Sequence, residues 1–144
     1  MQISRVNRDR PERVFITAKN VEGATMTAGL PAAYVQGASN DGASVVIANA
    51  AGDYPGFLGV VVKDIPNNDY GQVQIAGFVA SALISNVGSS LTITVGDPLV
   101  PAPGGFFSGA PTYANSGFRW LAVASNTPAA LSAASYVSGL LKMV

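Results

Sequence analysis

The sequence contains no cysteine and no histidine. Without cysteine there is no disulfide framework and no thiolate nucleophile. Without histidine there is no serine–histidine triad, and the two absences together remove every cysteine–histidine metal site. Charge is scarce as well: 11% of residues are Asp, Glu, Lys or Arg, less than half the roughly 25% of an ordinary soluble domain. A lone monomer usually carries more charge to stay dispersed. Part of this surface is therefore expected to be covered, by copies of the same chain or by a partner lattice. No apolar run approaches the roughly 20 residues of a membrane-spanning helix, and the opening MQISRVNRDR lacks the apolar stretch of a secretory signal. No membrane contact and no secretory leader are expected. The lack of cysteine leaves the redox compartment open.

What is present is small and apolar. Of the 144 residues, 49% are hydrophobic and 16 are glycine, with Ala and Val leading the apolar set. Such side chains suit tight sheets and turns better than long amphipathic helices, and a chain of this length makes one domain with a sizeable core. The net charge is zero but unevenly placed. Residues 1–19 carry Arg5, Arg8, Arg10, Arg13 and Lys19 against Asp9 and Glu12, a net of +3, while the rest carries three basic and six acidic groups, a net of −3. Pro11 interrupts any helix in the first zone, where only Val14-Phe15-Ile16 has the pattern of a short strand. The expected organisation is an extended basic arm over residues 1–20 and a β-rich body over 21–144. Arg5, Arg8, Arg10 and Arg13, together with Phe15, are candidate partner contacts. The interleaved acids and the acidic body favour an acidic groove on a protein over nucleic acid.

Along the body, turn signals alternate with short apolar runs. Asn40-Asp41-Gly42 is a turn, followed by the β-branched run Val45-Val46-Ile47. The stretch from Phe57 to Val62 reads as a buried strand, and residues 63–68 as a loop. From Tyr70 to Val79 the pattern alternates, with a kink or bulge expected near Gly77. The cleanest alternation runs from Leu91 to Val95. Leu99-Val100 is a short strand, 101–105 a rigid-then-flexible loop, 119–124 a strand and 135–144 a closing strand. Two stretches admit a helix, Val79 to Ile84 and Ala129 to Ala134. No internal repeat is visible in the residues. The spacing predicts a mainly β fold: a small β-barrel or β-sandwich body with an extended N-terminal arm.

Candidates for chemistry are few. Lys63 ends an apolar strand, where a solvated amine is the expected state. The central acids Asp53, Asp64, Asp69 and Asp97 all sit in turn-like sequence, where Asp serves local hydrogen bonds. Asp64, Asn67, Asn68 and Asp69 bring hard oxygen ligands together, but their spacing fits no calcium-loop pattern. The glycines form no phosphate loop. No catalytic residue, cofactor, metal or small-molecule substrate is expected. The aromatics Phe106, Phe107, Tyr113, Phe118 and Trp120 crowd together. Of these, Phe106 and Phe107, in a glycine-rich setting, are expected to form an exposed contact loop with a partner.

One ordered series of motifs runs from Phe57 onward. It consists of Gly59-Val60-Val61, the stretch from Gly71 to Phe78, Val95-Gly96-Asp97-Pro98-Leu99, the stretch from Trp120 to Ala124, and an Ala/Ser-rich run to Leu140-Leu141. This order resembles the capsid cement, or head decoration, proteins of tailed bacteriophages. The resemblance implies a β-barrel or β-sandwich body that binds the major capsid protein on the outer capsid surface of the virion, after assembly in the host cytoplasm. It also implies a homo-oligomer, with a trimer favoured, and neither catalysis nor a cofactor. The long basic front and a Pro/Gly-rich stretch over 101–118 depart from the family pattern. Two alternatives stand beside it: another virion part such as a fibre, spike or tail module, and a carbohydrate-binding β module resting on the aromatics of 106–120.

Overall fold

The computed structural model describes residues 13–37, 41–50, 53–85, 96, 98–108, 121–123 and 135–141. Nine strands lie among them: β1 (Arg13–Asn20), β2 (Pro31–Tyr34), β3 (Ser44–Ile47), β4 (Phe57–Val61), β5 (Tyr70–Ile84), β6 (Pro98–Ala102), β7 (Gly105–Ser108), β8 (Leu121–Val123) and β9 (Ser135–Leu141). A single 3-10 turn, Tyr54–Gly56, precedes β4. The expectation of a mainly β body holds. The stretches Leu91 to Val95 and Ala129 to Ala134 lie outside the described residues.

The sheet closes on itself twice. Its order is β1-β3-β2-β4-β5-β7-β6-β8-β9, with β5 bonded in addition to both β1 and β9. Strands β1 to β5 therefore form one ring, strands β5 to β9 a second, and the long β5 belongs to both. The two rings share one wiring. In ring 1 the first strand runs parallel to the third, and every other pairing is antiparallel. Ring 2 repeats this in the same order, with β5 parallel to β7 and the rest antiparallel. The registers match too. Arg13 faces Gly77 in ring 1, and Gly77 faces Leu141 in ring 2. Asn20 pairs with Val45, and Ile84 with Phe106. Just beyond, Val21 donates to the Val45 carbonyl at 3.0 Å, and Ser85 to the Phe106 carbonyl at 2.8 Å. Pro31 opens β2 and Pro98 opens β6, at matched positions facing Val60 and Ala122. The repeat that the residues hide is thus plain in the topology.

Each ring has its own core. In ring 1 the buried residues Ala18, Ala32, Val45, Leu58, Val61 and Val73 meet, and Met26 and Ile65 from the connecting loops pack with them. In ring 2, Val79, Ala82, Ile84, Leu99, Phe106, Val137 and Leu141 cluster, joined by Phe57 and Val60 of β4. Strand β4 is buried along its whole length because one face lines ring 1 and the other enters ring 2. A strand covered on both faces reads as a continuous apolar run, and FLGVV does so. A bulge between Ala32 and Ala33 in the β2–β4 ladder accompanies this double use.

Strand β5 crosses from one ring to the other at Gly77, whose φ of +90° lies where a side chain is disfavoured. This is the kink expected from the sequence. Beside it a bulge leaves Ile75 extra between the pairs Val14–Ala76 and Phe15–Gln74. The buried Gln74 amide donates to the carbonyls of Ala76 (3.1 Å) and Phe78 (2.9 Å), satisfying acceptors turned out of the ladder by the bend. The stretch from Val79 to Ile84, which admitted a helix on propensity, is strand: pairing with β9 outweighs the helix preference of its alanines. Residues 101–105 are also not a loop. Pro101 and Ala102 belong to β6, and Pro103-Gly104 makes a two-residue turn into β7. Proline followed by a glycine at φ +80° fits a type II turn.

The mouth of ring 1 is sealed by polar bonds. Asn20, fully buried, donates to the Ala24 and Ile65 carbonyls at 2.8 and 2.7 Å and accepts from the Glu22 N–H at 2.8 Å. Met26 and Ile65 pair as an isolated bridge. The expected turn at Asp41-Gly42 is held by the Asp41 carboxylate, which accepts from the Ala43 N–H at 2.9 Å and from the Ser44 N–H and hydroxyl at 2.6 and 2.8 Å. These bonds, the Ala43 N–H first, lower the Asp41 pKa from the ordinary 3.8 to about 2. A depressed folded-state pKa means that the turn is supported above the unfolded value and loses that support as pH falls from about 4 to about 2. A carboxyl NMR titration is expected to give Asp41 a midpoint near 2, and Ser44→Ala should move that midpoint upward. A midpoint at the ordinary carboxylate value would show that the turn bonds do not persist in solution.

Candidate interaction surface

Residues 13–20, which the sequence places in the extended arm with a short strand at Val14-Phe15-Ile16, are an integral strand of ring 1. Arg5, Arg8 and Arg10 lie outside the described residues. Arg13 and Phe15 face outward on β1. Arg13 stands opposite Gly77, and its guanidinium carbon sits 5.7 Å from the centroid of the Phe78 ring. Stacking of this kind holds the cation at the surface, worth about 0.5–1 kcal/mol where exposed. Phe15 is 39% exposed and Val62 42%, a large apolar area for a chain with so little charge.

These side chains border a cleft in the crook between the rings. Arg13, Phe15, Val60, Val62, Gln74 and Val79 line it, and its volume is about 120 Å³. That is below the roughly 300–1,000 Å³ of a small-molecule site and suits a single inserted side chain. The wall is mostly apolar, and among the described residues Arg13 is the only charged one lining it, so the arrangement can take an apolar anchor next to a carboxylate.

Phe106 does not form the exposed contact loop expected from the sequence. It is fully buried in ring 2, edge-on to Phe57 with ring centroids 5.8 Å apart. Gly105 lets β7 lie against β5, since a Cβ there would strike the Leu83 carbonyl oxygen. The glycine-rich setting therefore serves close strand packing and sends Phe106 inward. It is not a contact residue of the folded chain. The Phe107 side chain, Tyr113, Phe118 and Trp120 lie outside the described residues.

The polar groups considered for chemistry are engaged locally. Asp64 accepts from the Ala28 N–H and Asn67 from the Gly23 N–H, at 2.8 and 3.0 Å, tying the loop after β4 to the one after β1. Asp69 accepts from the Tyr70 N–H at 2.8 Å and Asp53 from the Ala50 N–H at 3.2 Å. Lys63 is exposed, and Asp97 lies outside the described residues. Among the described residues no three acidic, His or Cys side chains are grouped to hold a metal. Two exposed tyrosines, Tyr70 and Tyr136, and the exposed Leu140 were not singled out by the sequence. The signal available was their place in alternating strands beside inward Val73 and Val137.

Among the described residues the fold is thus a mainly β body of two like-wired rings around one shared strand. It is similar to the crystal structure of the head fiber gp8.5 N base of bacteriophage phi29. The TM-score is 0.52 at 21% identity, and the match covers 91% of this chain and 95% of that one. At this identity the likeness is one of fold. No protein-family model and no curated protein matches the sequence.

Proposed function

We propose that this chain is a structural protein of a tailed-phage virion, bound to the outside of the head through the major capsid protein. The observation that carries the reading is the fold likeness to a phage head-fiber base over nearly the full length of both chains. The scarcity of charge and the exposed apolar side chains at the inter-ring cleft support a surface that is covered in use. Two roles fit. As a decoration protein the chain strengthens contacts between capsid subunits, and as the base of a head-mounted fibre it anchors an appendage. What the structural neighbour is favours the second, whereas the ordered motifs from Phe57 onward favour the first. In both, assembly as a homo-oligomer, a trimer by the resemblance, repeats the contact and multiplies a weak affinity. Arg13 and Phe15, with the basic residues 1–12, form the docking side.

The test is co-sedimentation of the purified chain with capsids that lack it. The chain is expected to travel with the capsids, and a chain that stays free overturns the reading. Removing residues 1–12, which leaves β1 whole, should weaken binding, as should Phe15→Ala. Phe15→Ala should lower stability by no more than about 1 kcal/mol. If the truncated chain binds as tightly as the full one, the arm has no part in the contact. A rise in the temperature at which particles rupture marks the decoration role, and an unchanged temperature with bound chain marks the fibre base.

A further inference from the structure

The two rings differ at matched inward positions: Asn20 answers to Ile84, and Val45 to Phe106. At one outward position they agree. Tyr70 faces Lys19 across the ladder joining the first and last strands of ring 1, and Tyr136 faces Leu83 at the same step of ring 2. The neighbouring inward pairs, Ala18 with Gly71 and Ala82 with Val137, confirm the correspondence. These tyrosines are 62% and 54% exposed, the two most exposed large apolar side chains among the described residues. Tyr136 rests partly on the loop before β2, where a Cβ on Gly29 would lie 3.0 Å from its ring, yet more than half of it still meets solvent. Neither core needs a tyrosine pointing outward. Exposed tyrosines are favoured contact residues because they combine a rigid apolar body with a polar tip.

We propose that the two rings present one tyrosine-centred contact twice, to two neighbouring identical subunits of a protein lattice. This rests on the head-exterior reading above. One buried tyrosine contributes about 150–250 Å², well short of the roughly 1,200–2,000 Å² of a specific interface, so a single ring is a poor anchor. Two contacts at a spacing fixed by the shared β5 gain from each other by avidity. Two copies of one site at a set spacing match a partner that itself repeats. Charge separates the two sites. Beside Tyr70, Lys19 adds attraction to an acidic group on the subunit it meets, whereas beside Tyr136, Leu83 packs against the core of ring 1 and adds no charge.

The experiment measures binding of the full chain to capsids lacking it, for the wild type, Tyr70→Ala, Tyr136→Ala and the double variant, with Gln72→Ala as an outward control on β5. Thermal unfolding confirms that each variant is folded. Each single variant is expected to bind about tenfold more weakly, and the double variant about a hundredfold. Raising salt should weaken Tyr136→Ala, which relies on the Lys19 side, more than Tyr70→Ala. The proposal is overturned if either single variant binds within about twofold of the wild type, or if the double variant is no worse than the singles, while the wild type binds. A wild type that ignores capsids overturns the head-exterior reading, and this proposal with it.

Discussion

Gly59→Ala is expected to destroy cooperative folding, with a loss of more than about 4 kcal/mol. A Cβ at this position would strike the Gln74 carbonyl oxygen and lie 2.8 Å from its carbon. Both obstacles are backbone, so no side chain can swing aside. Relief requires opening the β4–β5 ladder at Val60–Gln74 and Val61–Val73. Damage there reaches both cores, because β4 supplies Leu58 and Val61 to ring 1 and Phe57 and Val60 to ring 2. Gln74 cannot retreat freely either, since its amide is tied to Ala76 and Phe78 across the bend. Circular dichroism against temperature and urea measures the outcome. The exposed Val62→Ala, changed to within about 0.5 kcal/mol, serves as the reference. A Gly59→Ala chain that melts within about 1 kcal/mol of the wild type would refute the close approach of these strands.

Phe106→Ala is expected to cost about 3–5 kcal/mol, the usual range for emptying a buried aromatic site. The cavity opens in the centre of ring 2, beside Phe57, Leu99 and Ile84. Phe57→Ala should fall in the same range. The double variant should cost less than the sum by about 0.5–1.5 kcal/mol, because the edge-on ring pair is lost only once. Urea denaturation of the four chains measures this cycle. The result also separates core from contact: a surface Phe106 would leave the unfolding midpoint unmoved.

Local strand signals were legible in the residues. The β-branched run at Val45, the apolar stretch from Phe57 and the alternation from Tyr70 all became strands, because each pattern is set by which side chains meet a core. Gly77 announced its kink through the one property that only glycine has. Global features were harder to read. The extension of β5 to Ile84 depends on β9, a partner more than fifty residues away, and nothing local in Ala80-Ser81-Ala82 encodes it. The boundary of the arm is not encoded in charge, because a strand with one outward face tolerates Arg13 and Lys19 as readily as a tail does. The inward place of Phe106 has no local signal, because glycine before an aromatic has the same pattern in an open loop as in a tightly packed hairpin. The repeated wiring leaves no mark in the residues, because Asn20 and Ile84 are held in the same place by backbone pairing and not by like side chains. Of the proposed contact side, Arg13 is legible as part of the basic front and Phe15 as an apolar residue within it, while the exposure of Phe15 is known from the fold. The tyrosine pair needed the register of two rings.

The shared strand also governs the order in which the chain can fold as it is made. Ring 1 has every strand it needs once the first half of β5 leaves the ribosome, whereas ring 2 waits for β9 at the other end of the chain. In the interval the second half of β5, Gly77 to Ile84, hangs from a finished ring as an unpaired edge, the situation in which nascent β proteins stick to one another. Its outward residues Ala80 and Ser81 are small, but Val79, Ala82 and Ile84, buried once ring 2 is complete, stay uncovered until the later strands arrive. The nascent chain thus waits for its last strand with one small-residue face and one apolar face, and the apolar face is the one that β9 must reach first.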